Sequence, residues 1–191
     1  MHVVDFGGSW FALQVRYGSE KVVAMILRQK GYSEFLPLYQ VRRRWSDRIK
    51  ELAVPLFQGY IFCRFDCSIG APIVTTPGVI RIVGAGKTPV SVSDQEIETL
   101  QALMRSGLNA QPCGFVRTGQ RVTIKGGPLC GLEGIVLRVK NNYRLVVSVS
   151  LLQRSVAVEI DSDWLRPSSK IASPFTTSLH NAHAVASGEI P

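Results

Sequence analysis

At 191 residues, with 46% hydrophobic and 19% charged side chains, the chain has the make-up of one large or two small globular domains. Its formal net charge of +8 is spread over both halves and not gathered in one tail, which favours a polyanionic partner such as nucleic acid. Four cysteines without a CxxC pair, and histidines confined to His2, His180 and His183, argue against a structural zinc site or any bound metal. No run approaches the roughly 18 apolar residues that a membrane helix needs, and the first residues lack a basic segment followed by an apolar one. A reduced, cytoplasmic chain with no membrane attachment is expected.

In chain order, residues 10–15 form a short aromatic and β-branched run that reads as a strand. Ser19 then offers a helix N-cap before the apolar stripe of Val22, Val23, Ile26 and Leu27, and Gly31 supplies the stop. The opposite face of that helix carries Glu20, Lys21 and Arg28, so the helix is expected to cover a sheet. Residues 34–41 return as strand. The densest basic cluster follows, Arg42, Arg43, Arg44, Arg48 and Lys50, offset only by Asp47 and Glu51, and it is expected at a hairpin tip or loop.

The run Pro55-Leu56-Phe57-Gln58-Gly59-Tyr60 leads into a strand at residues 61–65 whose aromatics, with Phe62 and Phe65, are too many for a routine surface strand. Cys63 and Cys67 bracket its end and are expected to be partly buried, reduced thiols. Thr76-Pro77-Gly78 signals a turn before another strand at Val79, Ile80, Ile82 and Val83. Ser93 to Glu96 read as a capping box, and Ile97, Leu100, Leu103 and Met104 keep helical spacing up to Gly107. Residues 106–114 lack periodicity and read as a linker, and beyond Pro167 a Ser-, Thr- and Ala-rich tail is expected to be disordered.

Between them, the stretch VRTGQRVTIKGGPLCGLEGIVLRV, residues 116–139, and the apolar runs at 143–152 and 155–160 predict a small β-barrel, with Gly126, Gly127, Gly131 and Gly134 permitting turns of positive φ. This pattern resembles a KOW module. The Trp-led strand, the PLFQGYIFCRF run, TPGVIRIVG, the SDQEIETL helix and the terminal barrel occur in one order, which resembles the NusG family of transcription elongation factors over residues 10–167. The resemblance implies an α+β protein. Its parts would be a flexible N-terminus (1–8), an NGN domain with an antiparallel sheet flanked by helices (9–106), a flexible linker (107–115), an SH3-like five-stranded KOW barrel (116–167) and a disordered tail (168–191).

It further implies a monomeric, non-enzymatic, cofactor-free factor that binds elongating RNA polymerase and alters pausing and termination. Trp10, Phe57, Tyr60 and Phe62 match the positions that seat the polymerase clamp helices, a task to which aromatics suit because each removes a large apolar area from water with few rotors to freeze. Proline is usual in the family where this chain has Gln58. The Arg42 to Lys50 cluster, with Arg16, Lys21 and Arg28, is placed to face upstream or non-template DNA. Residues 68–73 match the part that faces the opposite jaw.

In the barrel, Leu129, Leu132, Leu151, Leu152 and Arg154 match exposed turns that bind the Rho terminator or a small-subunit ribosomal protein, with Gln153 where glycine is common. The run LPLYQVRRRWSDRIKELAVPLFQGYIFCRF and the altered turns lean towards a specialised paralogue of the RfaH or UpxY type over a general factor. The helical-hairpin state known for one specialist barrel is not expected, because the glycines and Pro128 disfavour helix and the Val-rich runs favour strand. The other class of reading, a ribosome-associated or RNA-binding KOW protein, explains the barrel and the charge but leaves residues 1–110 without a role.

Overall fold

The computed structural model describes residues 8–45, 48–67, 71–116, 119–139 and 142–167. The expected flexible N-terminus and disordered tail lie almost wholly outside these residues, as do positions 68–70 of the segment expected to face the opposite jaw. No described helix is long and apolar enough to cross a membrane, and no group of His, Cys, Asp or Glu that could hold a metal ion is found among the described residues.

The chain begins with β1 (Ser9–Val15), α1 (Glu20–Gln29) and β2 (Ser33–Phe35), followed by β3 (Leu38–Trp45), β4 (Arg48–Pro55) and β5 (Tyr60–Phe65). A short α2 (Ala71–Val74), β6 (Val79–Ile82), the two-residue strands β7 (Gly84–Ala85), β8 (Thr88–Pro89) and β9 (Ser91–Val92), and α3 (Asp94–Arg105) complete the first part. Its sheet has the order β2-β5-β1-β6, with β9 also paired to β1, and its pairings are antiparallel. β1 is buried on both faces. Alternation sends Phe11, Leu13 and Val15, with Ile61, Cys63 and Phe65 of β5, towards Val23, Ala24 and Leu27 of α1. Trp10 and Ala12, with Phe62, point the other way, towards Ile97, Leu100 and Leu103 of α3.

Two details of α1 differ from the sequence reading. Val22 is exposed, whereas Glu20 is 4% exposed and turned inward, on the same stripe as Val23, Ala24 and Leu27. The helix starts after Ser19 as expected, but Ser19 makes no side-chain cap bond. β3 and β4 form a basic hairpin, in register from Leu38↔Pro55 to Trp45↔Arg48, so the basic cluster expected at a tip or loop lies along the two paired strands instead.

The second part contains β10 (Gln111–Cys113), β11 (Gln120–Ile124), β12 (Glu133–Val139), β13 (Asn142–Val149), β14 (Arg154–Ile160) and β15 (Leu165–Pro167). They form one antiparallel sheet of order β10-β14-β13-β12-β11-β15 around Val122, Ile124, Val136, Leu145, Val147, Val156 and Val158. Five strands were expected, and β10 is a sixth. Residues 111–113, read as linker for want of any pattern, pair with β14 through backbone bonds that need none. Gly127 and Gly131 have the expected positive φ of 69° and 89°, but Gly126 is extended at φ of −147° and Gly134 lies within β12, where a Cβ would come within 2.6 Å of the Leu145 side chain.

Candidate functional site

The sequence Phe57-Gln58-Gly59-Tyr60 closes a tight corner ahead of β5. The Tyr60 N–H donates to Phe57 O at 3.0 Å and Gly59 has φ of +81°, the conformation that a type II turn requires at its third position. Both polar groups of Gly59 are occupied: its N–H donates to Oε1 of the inward-turned Glu20 at 2.8 Å, and its carbonyl accepts from Val15 N–H at 2.8 Å. Proline is absent, but the corner forms.

Of the four residues expected to meet the polymerase clamp, three are interior here. Trp10, Phe57 and Phe62 belong to one buried cluster, with Phe57 1% exposed and edge-on to Phe62 at 5.6 Å. Phe57, matched to a clamp-seating position, is thus interior in this chain: a ring of that size is drawn into the apolar space between the sheet and the layer over it. Tyr60 is half-buried, and the Arg154 guanidinium lies over its ring at 5.0 Å from the centroid.

Arg154 comes from the barrel, at the end of a single helical turn (Ser150–Leu152) and of Gln153, whose φ of 50° is the one left-handed value at a non-glycine residue among the described residues. Its Nη1 donates to the carbonyl of Gln58 at 3.2 Å. Beside it, Ser150 N–H donates to Glu96 Oε1 of α3 at 3.2 Å. Glu96 was expected to complete a capping box with Ser93. Ser93 makes no side-chain cap bond, and Glu96 reaches across to the barrel instead. Leu151 and Leu152 are half-buried and pack against the cluster that contains Trp10, Phe57 and Phe62.

Two surfaces expected to serve different partners thus meet each other. The contact is polar at its edge, and a cleft of about 520 Å³ opens beside it, lined by Glu96 and Thr99 of α3 and by Arg121, Val122 and Val146 of the barrel. Leu132 is half-buried. Leu129, expected on an exposed turn, is 1% exposed, because the short turn Gly127–Leu129 folds its leucine into the barrel interior.

Arg16 and Lys21 are exposed beside α1, and Arg28 is exposed but paired with Glu34. On the hairpin, Arg42 Nε donates to Glu51 Oε1 at 2.8 Å across the strands, while Arg44 and Lys50 are exposed. Arg43 and Arg48 lie on β3 and β4, across from Lys50 and Trp45. The expected DNA-facing residues therefore fall in two groups, one along α1 and one along the hairpin. Arg28 and Arg42 already hold carboxylates; the Arg42–Glu51 pair is exposed on both sides and worth about 0–1 kcal/mol, so a phosphate can exchange for it, whereas Arg28 holds the largely buried side chain of Glu34.

The thiols divide by burial. Burial foremost, and then the neighbouring Glu34, pushes the Cys63 thiol up to about 12, and burial also raises Cys113, with Arg144 opposing it. Cys67, expected to be partly buried, is exposed just past the end of β5, and Cys63 is fully buried. Glu20 and Glu96, which make the bonds that define the site, were read from the sequence only as helix residues, one on a solvent face and one in a capping box. For Glu20 the signal was present, since it stands three, four and seven residues before Val23, Ala24 and Leu27.

The fold defines a class: an α+β protein in which a helix-flanked antiparallel sheet precedes a small Val-rich barrel. Residues 8–101 match the family model described as "NusG: Transcription termination factor nusG". The chain is 30% identical over 132 residues to the transcription termination/antitermination protein NusG of Borreliella burgdorferi, covering 62% of this chain and 70% of that one. It is 25% identical over 173 residues to the protein of the same name in Helicobacter pylori, covering 79% and 93%. A solved structure described as "Domain interaction in Thermotoga maritima NusG" aligns with a TM-score of 0.48 at 18% identity, over 83% of this chain and 96% of that one. The chain belongs to the NusG family.

Proposed function

We propose that this protein is a transcription elongation factor that binds RNA polymerase through the corner at residues 57–60, and that its barrel recruits a second protein through Leu132, Leu151, Leu152 and Arg154. Family membership supports the first half, since the matched residues 8–101 contain the whole corner. The observation that carries the reading is the contact of Arg154 with Tyr60 and with Gln58 O. A half-buried aromatic beside a backbone carbonyl, both met by an arginine, is a binding surface already in use, here by the chain's own barrel.

Engagement of polymerase at Tyr60 then displaces the turn at residues 150–154, and the same movement frees Leu151, Leu152 and Arg154 for another partner, Rho or a small-subunit ribosomal protein. The two hydrogen bonds and the cation–π contact to be given up contribute roughly 0.5–1.5 kcal/mol each, well within what a protein interface supplies. Arg16, Lys21 and the hairpin cations add a salt-sensitive attraction for upstream or non-template DNA. The matched relatives bear the general factor's name, which favours general action on elongation over action on particular operons.

The test is transcription by purified polymerase through a pause site and a terminator, with and without the full chain. Added protein is expected to change pausing or read-through, and Tyr60→Ala to abolish the change. No effect of the wild-type chain on either would overturn the reading.

A further inference from the structure

The Gln58-Gly59 corner lacks the rigidity that proline would give at its second position, where a fixed φ near −65° suits a type II turn. Something else must hold it, because Phe57 and Tyr60 sit at its two ends and their relative placement follows from its backbone. The holding group is on another element. Glu20 opens α1, is 4% exposed, and sends Oε1 to the Gly59 N–H at 2.8 Å across 39 residues of sequence. No other charged side chain among the described residues is as buried.

We propose that Glu20 is the positioning residue of the polymerase-binding corner, supplying through one hydrogen bond the preorganisation that a proline would otherwise supply. The inference rests on the reading of that corner as the polymerase-binding surface. Three observations support it. The bond goes to a backbone donor inside the turn, so it fixes the turn's geometry independently of side-chain identity. The Gly59 carbonyl is tied at the same time to Val15 N–H, so the two peptide groups flanking Gly59 are each held, one by α1 and the other by β1. The Gln58 carbonyl is left pointing at Arg154, which places the corner's remaining acceptor on the outer side where a partner can reach it.

The role is separable from helix stability. Gln at position 20 keeps an acceptor of nearly the same reach, whereas Met keeps the volume and removes it. Proline at position 58 fixes the corner by a different route, and the bonds that close the corner do not use the Gln58 N–H.

The experiment measures affinity of the full chain for core RNA polymerase, with amide exchange of Gly59 followed by NMR, in wild type, Glu20→Gln, Glu20→Met, Gln58→Pro, the Glu20→Met/Gln58→Pro double variant and Tyr60→Ala, each checked for a native near-ultraviolet spectrum. If Met is not accommodated, Ala replaces it. Glu20→Met is expected to weaken binding about tenfold and to speed Gly59 exchange by a similar factor, Glu20→Gln to stay close to wild type, and Gln58→Pro to restore binding to Glu20→Met while adding little alone. Wild-type binding by Glu20→Met alongside loss with Tyr60→Ala overturns the inference alone, as does Glu20→Gln binding as weakly as Glu20→Met. Wild-type binding by Tyr60→Ala overturns the polymerase-binding reading, and the inference with it.

Discussion

The corner at residues 57–60 and the turn at residues 150–153 meet face to face, and each contains a residue in the left-handed region, yet they are built in different ways. At the corner the left-handed residue is Gly59, which takes φ of +81° without penalty and is fixed from outside by Glu20 and Val15. At the turn it is Gln153, at φ of 50°, which is held by its own neighbourhood: its N–H and its Nε2 both donate to Ser150 O, at 3.2 and 2.7 Å. The first is a rigid surface built into the sheet. The second carries its strain within its own bonds and reaches the first part through Ser150 and Arg154, with Leu151 and Leu152 packed against the core cluster, and these are the contacts that the proposed displacement gives up.

Substitutions can break this comparison at several levels. Phe57→Ala should cost about 3–5 kcal/mol, because the ring is fully buried against Phe62, whereas Leu152→Ala on the turn should cost about 1 kcal/mol; equal losses in urea unfolding would remove the contrast between built-in and removable sides. Next in size is a pH effect on the rigid side. The folded chain keeps the Cys63 proton up to about pH 12, and the unfolded chain loses it near 9.0. Stability is therefore full below about pH 9 and falls as pH rises towards 12, by at most about 1.4 kcal/mol per pH unit, and Cys63→Ala should flatten that fall in alkaline melts.

Gly59→Ala and Gln153→Gly should act with opposite signs. A Cβ at Gly59 has room, with Val15 O at 3.7 Å, so the loss of about 1–2 kcal/mol is conformational, while glycine at 153 relieves the same kind of strain and should gain up to about 1 kcal/mol. Melting temperatures moving the same way for both would contradict the account. The smallest effect on stability is expected from Arg154→Ala, below about 1 kcal/mol since the side chain is exposed. By uncovering Tyr60 it should tighten polymerase binding a few-fold in an equilibrium titration.

Much of the fold was legible because periodicity reports burial. β1 and β5 read as strands and α1 and α3 as helices, while the basic cluster read as a hairpin tip or loop lies along β3 and β4, because dense charge hides the strand pattern. The failures share causes. Glu20 was placed on the solvent face because it carries a charge, although its spacing to Val23, Ala24 and Leu27 set it on the buried stripe that Val22 was wrongly given. Leu129 was read as exposed because it matches an exposed partner-binding turn of the family, but this turn folds inward. β10 carries no apolar alternation, since an edge strand needs only its backbone. The contact itself left no trace, because Ser150 reaches Glu96 across 54 residues and Arg154 reaches Gln58 across 96. No local pattern encodes such a pairing.

On the proposed function, the residue 57–60 corner is the polymerase-binding surface. The most direct measurement is the dissociation constant of the full chain for core RNA polymerase, comparing Tyr60→Ala with Ile80→Ala, which alters an exposed aliphatic on β6 and serves as the control. The account predicts that Tyr60→Ala weakens binding by about tenfold or more while Ile80→Ala leaves it unchanged. Equal affinity for wild type and Tyr60→Ala would contradict it.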